Sequence, residues 1–265
     1  LDMVFRMING HDYKDTSVAP INYLNKGERS LGDYTIAWTD RFLDFAAEAE
    51  TSSMIRHLTE KISKHGAVVK SAIPDSVNFQ EVLQGWGVLF GSIIGQDMPL
   101  LMRWFSKLFF RKFKGSMGSG MRKGLNLSMK TYAKTLKRRD EAIRKFQSFF
   151  EEYDVLIAPV TLTPAIPHQK SGAPVEVDGV KRNYLDALSS SCAIFNLTGH
   201  PAVTLPIGQS SEGLPIGVQI IGPYWSDYEL IKFAQKIDFL VQGYKPPIGF
   251  NAKVNRTNSK VPVSV

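Results

Sequence analysis

The 265 residues predict an α/β fold, a mixed and twisted central sheet flanked by helices on both faces. Three observations carry this. Val155 to Ala158, Ala202 to Leu205 and Ile216 to Ile221 are short apolar runs bounded by Pro or Gly, the pattern of neighbouring strands at the centre of a sheet. The order Tyr34 to Trp38, a helical stretch, then Ala67 to Val69 makes a strand, helix and strand unit whose two strands should pair in parallel and extend the same sheet. The rest of the chain is dominated by helical periodicity.

Taken in order, Leu1, Val4, Phe5 and Ile8 share a helical face that Asn9-Gly10 ends. The pattern opens on Leu1 without a cap, so the chain is expected to be a piece of a longer protein. A polar loop runs to Gly32, and after the Tyr34 strand a helix spans Asp44 to Lys64, broken by Gly66. A helix from Ser76 to Gly95, capped by Asp75 or Ser76, turns Phe79, Val82, Leu83, Trp86, Leu89 and Phe90 inward. Its Gly85, Gly87 and Gly91 allow two readings, close packing of another element or room for a ligand.

Met98 to Lys114 reads as an aromatic, basic amphipathic helix. One reading packs its apolar side on the core and leaves its cations solvated, and the other makes it a membrane-surface or hydrophobic-substrate entry helix. Gly115 to Gly120 reads as a flexible connector. A helix from Leu125 to Glu152 points Leu127, Tyr132, Leu136, Ile143, Phe146 and Phe150 inward, and residues 161–182, rich in Pro and Gly, read as a surface loop. Asn183 to Leu197 reads as one helix ending at Gly199. Leu185, Leu188, Cys192 and Phe195 share one face, while Ser189, Ser190 and Ser191 form a small-residue face with room for a ligand. A last helix runs from Asp227 to Val241 and closes at Gly243. Residues 251–265 read as a disordered tail, which leaves 1–250 as part of a single domain.

Composition narrows the partners. A net charge of +7 attracts anions. No zinc spacing, recognition helix or basic-aromatic stacking module accompanies it, so no nucleic acid is expected. One cysteine, Cys192, excludes an internal disulfide and fits a reducing, cytoplasmic compartment. No run of eighteen apolar residues suggests a spanning helix.

Four ordered pieces carry a resemblance: Tyr153-Asp154-Val155-Leu156 with Pro159, Asn196-Leu197-Thr198-Gly199-His200-Pro201-Ala202, Pro206-Ile207-Gly208, and Gly213-Leu214-Pro215-Ile216-Gly217-Val218-Gln219. Together they resemble the C-terminal half of the amidase signature family. The segment Asn9 to Asp15 resembles the stretch that follows the family's catalytic part. The resemblance implies hydrolysis of carboxamide C–N bonds by a serine nucleophile, aided by a second serine on a cis peptide and a lysine, with no metal or cofactor. Those groups lie on a Gly/Ser-rich segment that has no match here, so no catalytic residue is assigned. The chain is expected to be inactive without an upstream half.

By the same resemblance the substrate wall falls on Leu188, Ser189, Cys192 and Trp225. An apolar acyl or aryl amide is the expected small-molecule substrate. Glutamine-hydrolysing amidotransferase subunits look to carry an aspartate where Ser189 stands, which argues against glutamine. Fatty-acid amide hydrolases are similar in using hydrophobic helices near Met98 to Lys114 as a membrane-facing cap, which implies peripheral membrane contact. The rival readings are a non-catalytic membrane-associated scaffold and a glutamine-hydrolysing member of an amidotransferase. His200 reads as a turn residue and Cys192 as unreactive, and no histidine triad is expected.

Overall fold

A computed structural model describes residues 1–10, 14, 27–241 and 244. The expectations placed on residues 11–13 and 15–26, on Gly243 and on the tail 251–265 lie outside them. Five strands form the central sheet: β1 (Thr35–Trp38), β2 (Val68–Ser71), β3 (Val155–Pro159), β6 (Ala202–Gln209) and β7 (Pro215–Ile221), in the order β2-β1-β3-β7-β6. β1 is parallel to both β2 and β3, with Ile36 opposite Val69 and Val155. β3 runs antiparallel to β7, and β7 to β6. The sheet is therefore mixed. β6 stands at its margin rather than its centre, and Pro206 sits there beside a register shift, where a missing N–H is tolerated.

Strand side chains alternate between two cores, as the pleat requires. Ile36, Val155, Ile157 and Ile220 meet α2 (Ala49–Lys64) and α9 (Asp227–Val241) through Ile55, Leu58, Leu230 and Phe233. Ala37, Leu156, Ala158 and Ile221 meet the opposite layer, made of α3 (Phe79–Gln96), α5 (Gly115–Gly124), α6 (Met129–Glu152) and α8 (Ser190–Thr198). Burial on both faces explains why β3 is apolar throughout. A short α1 (Asp2–Ile8) touches α9, with Phe5 stacked on Tyr228.

Residues 115–120 are not a connector. They open α5, which lies against α3 backbone to backbone. A Cβ on Gly87 would sit 2.2 Å from the Met117 carbonyl oxygen, and one on Gly120 2.2 Å from that of Gln84. Gly91 and Gly124 meet the same limit, at 2.3 and 2.2 Å. The α3 glycines therefore serve close packing.

Several boundaries move for local reasons. α2 starts at Ala49 rather than Asp44, because the Asp178 carboxylate accepts the Ala49 N–H at 2.9 and 3.2 Å and caps the helix from a distant loop. α3 starts at Phe79, where the Asn78 side chain accepts from the Glu81 N–H at 3.1 Å in place of the expected Asp75 or Ser76. Residues 161–182 contain a hairpin, β4 (Val175–Val177) and β5 (Val180–Arg182), turned at Asp178 and Gly179 with φ of 48° and 75°. Tyr132, expected inward, is exposed at the start of α6.

The largest reversal is α4 (Leu100–Phe110). Its apolar residues do not pack on the core: Leu100 is 77% and Trp104 62% exposed, and Leu101, Met102, Phe105, Leu108 and Phe109 are exposed too. Only Phe110 is buried. Arg103 and Lys107 are half-buried instead, and Arg103 donates from Nε to the Met98 carbonyl at 2.8 Å. The helix is inside out.

Candidate functional site

β1 and β3 end side by side, Trp38 opposite Ile157. From β1 the chain passes to α2 on one face of the sheet, and from β3 it passes to α8 on the other. Departure to opposite faces marks the region outside the carboxyl ends of these strands as the place where open α/β sheets carry a ligand crevice. Its walls are tied together by main-chain bonds. Thr39 N–H donates to Ile157 O at 2.9 Å, Glu48 N–H to Leu162 O at 2.8 Å and Leu162 N–H to Ala187 O at 2.9 Å. A small apolar cluster of Ala47, Leu162, Val175, Val177 and Ala187 floors it, with Phe45 and Leu188 packed against it.

The expected helix from Asn183 to Leu197 is interrupted here. α7 (Tyr184–Leu188) stops and α8 begins at Ser189, whose φ of −139° and ψ of −15° leave the helical region. Asp186 lies three residues before the break. Its buried carboxyl accepts from Asn183 Nδ2 at 2.8 Å and abuts the first residue of α5, where a Cβ on Gly115 would lie 2.8 Å from Oδ2. Burial raises its pKa, and the Asn183 bond partly opposes that. Ser190 Oγ donates to the Asp186 carbonyl at 2.5 Å, which occupies one of the serines expected to leave room. Ser190 and Ser191 are both buried, so the small-residue face is packed rather than open.

Three of the four expected wall residues gather at this crevice. Leu188 packs on its apolar floor, Ser189 is half-exposed at the helix break, and Cys192 Sγ donates to the Val160 carbonyl at 3.5 Å just past β3. Burial pushes the Cys192 thiol pKa up, which keeps it protonated and poorly nucleophilic. Trp225 stands apart. It follows β7, which runs antiparallel to β3 with Ile221 opposite Leu156, so it lies toward the amino end of β3. That is roughly 15 Å from the crevice at ~3.3 Å per residue. It is 62% exposed, with φ of 66°.

Gln219, named only as part of a motif, and Phe45 were given no site role by the sequence. Gln219 Nε2, buried in β7, donates to the Pro159 carbonyl at 3.0 Å and closes the crevice from the third strand. A lone amide in the run Ile-Gly-Val-Gln-Ile-Ile was the available signal, since an inward polar side chain in a strand needs a partner. His200 is 5% exposed, stacked on Tyr224 and beside Phe146 and Phe150. Its Nδ1 meets Thr198 Oγ1 at 2.9 Å, and its Nε2 has no partner among the described residues. Burial lowers its pKa to about 4. Among the described residues no group of three His, Cys, Asp or Glu is placed to hold a metal, and no helix is long and apolar enough to cross a membrane.

The amidase family model matches residues 1–231. A glutamyl-tRNA(Gln) amidotransferase subunit of Natranaerobius thermophilus is 36% identical over 114 residues, 43% of this chain and 22% of that protein. The corresponding amidotransferase subunit from Saccharolobus solfataricus is 26% identical over 259 residues, 90% of this chain and 52% of its own length. Among solved structures, a bacterial aryl acylamidase of the amidase signature enzymes superposes with a TM-score of 0.68 at 16% identity, over 90% of this chain and 52% of that one. In its longest match the chain thus spans about half the length of its relatives.

Proposed function

The chain belongs to the amidase family, and from that membership we propose that it forms the substrate wall of an enzyme that cleaves carboxamide C–N bonds. An amide resists attack, so the reaction needs an activated nucleophile, a proton for the leaving amine and donors for the oxyanion. In this proposal a Ser, cis-Ser and Lys set from outside these residues supplies them, and the 265 residues alone have no activity. The carrying observation is the crevice outside β1 and β3, where Leu188 and Cys192 stand over an apolar floor and Ser189 offers an uncharged hydroxyl at the rim. An apolar acyl or aryl group fits such a wall.

The relatives named as amidotransferase subunits support the second reading, in which glutamine is the amide. A glutamine ammonium calls for a carboxylate, and Ser189 carries no charge to meet it. The test uses the full-length protein with a fluorophosphonate probe, an acyl anilide and glutamine. Labelling with anilide cleavage supports the first reading. Ammonia release from glutamine alone would replace it with the second, and absence of labelling would favour a non-catalytic relative.

For the partner, we propose a peripheral bilayer contact through Met98 to Lys114. α4 exposes its apolar side, and no Asp or Glu occurs from Met98 to Arg139, which suits an anionic headgroup layer. Co-sedimentation with phosphatidylserine vesicles should fall when Leu101 and Phe105 become Ser. Unchanged binding would reject the contact.

A further inference from the structure

We propose that Arg182 is the anchor for a carboxylate at the far end of the substrate, so that the preferred amide is apolar in its middle and acidic at its tail. The inference rests on the amide reading of the crevice and narrows its substrate class. Arg182 closes the β4–β5 hairpin, opposite Val175, whose side chain belongs to the apolar floor. Its guanidinium carbon lies 4.3 Å over the ring of Phe45, which packs on the same floor as Leu188.

The hairpin is held at both ends. Val175 and Val177 are buried in the floor, and at the turn Asp178 caps α2 through the Ala49 N–H. The guanidinium therefore sits at a fixed place on the rim.

What marks it is the lack of a counterion. Arg182 Nε is buried with no hydrogen-bond partner, and among the described residues no carboxylate pairs with the head group. Stacked on Phe45 on one side and sealed at Nε, the cation is partly stripped of water, while the residue as a whole stays half-exposed. A desolvated, unpaired cation attracts an anion far more strongly than a solvated one. The guanidinium fork suits a carboxylate, and its rigid mount lets it select by position.

The test pairs two anilides in the full-length protein: glutaranilate, which ends in a carboxylate, and valeranilide, which has the same chain without it. Arg182→Gln should raise KM for glutaranilate on the order of 10- to 100-fold, leaving kcat and the valeranilide reaction little changed. Arg182→Lys should recover part of the loss, and melting curves confirm that both variants fold. Equal effects on both anilides, or none, would reduce Arg182 to a clamp that holds the hairpin on Phe45. Calorimetric titration of glutaranilate separates this inference from the amide reading. Binding that depends on Arg182 without turnover sustains the anchor while the hydrolase reading falls, and binding indifferent to Arg182, or absent, sinks the anchor.

Discussion

α5 and α4 are neighbours in sequence and opposites in packing. α5 carries Gly120 and Gly124 and is clamped so closely to α3 that a single added carbon at either would strike a carbonyl. α4 carries Leu, Trp and Phe and turns most of them to solvent. The segment with only two large apolar side chains, Met117 and Met121, is inside, and the segment with the most to bury is outside. Burial follows what a partner surface can accept. Small residues let two backbones approach, where many weak contacts accumulate, whereas large apolar residues need a groove already shaped for them.

The sharpest way to break that contrast is to fill the seam. Gly120→Val places branched carbons where a Cβ would already lie 2.2 Å from the Gln84 carbonyl oxygen, with backbone as the obstacle. Helices α3 and α5 would have to part, and the loss should exceed the usual ceiling of about 3 kcal/mol for overpacked cores. Urea unfolding of the full-length protein measures it. A loss under about 1 kcal/mol would mean that the seam is looser than its geometry.

Acid should be the next largest effect, because the same layer holds His200 as a neutral ring. Its folded pKa of about 4 lies below the ordinary 6.5, so between those values the unfolded chain binds the extra proton. Stability is complete above about pH 6.5 and declines as pH falls toward 4, by on the order of 3 kcal/mol in total. Measured from about pH 7 to 4, the slope should flatten in His200→Phe, which also removes the unpartnered Nε2. An identical slope in both proteins would place the acid sensitivity elsewhere.

Much of this architecture was legible in the sequence. Short apolar runs with Pro/Gly punctuation located β3, β6 and β7, and the strand, helix and strand order located β1 and its parallel partner β2. The misreadings share one physical cause: the deciding partner lies far along the chain. Asp178, 129 residues from Ala49, sets where α2 begins. The break between α7 and α8 at Ser189 has no local signal in the sequence. Trp225 looked like a wall residue by resemblance alone, and only the antiparallel register of β7 carries it to the other end of the sheet. Gly115 to Gly120 read as a connector for the same reason, since the meaning of a glycine depends on what approaches it.

The α2 cap tests that claim at smaller scale. Asp178→Ala removes a carboxylate from two contacts with the Ala49 N–H, and caps of this kind contribute about 1 kcal/mol. Ala at a φ of 48° also strains a left-handed backbone that Asp tolerates, so Asp178→Gly, which is free of that strain, isolates the cap. A full loss of cooperativity would show that the hairpin does more than cap.

The smallest effect belongs to α4, and its smallness is the informative part. Replacing Leu101 and Phe105 together by Ser would cost several kcal/mol in a core. Both side chains are exposed here, so the unfolding midpoint should shift by no more than ~0.5 kcal/mol equivalent. Arg103→Ala should cost more than either serine, because its stem is half-buried and its Nε holds the Met98 carbonyl. That inverted ranking, the cation mattering to the fold and the aromatic not, is what an inside-out helix demands. If the serines destabilise the protein by about 2 kcal/mol or more, α4 has an internal partner in the intact protein. Its apolar face would then belong with the α5 seam, as packed core, rather than stand against it.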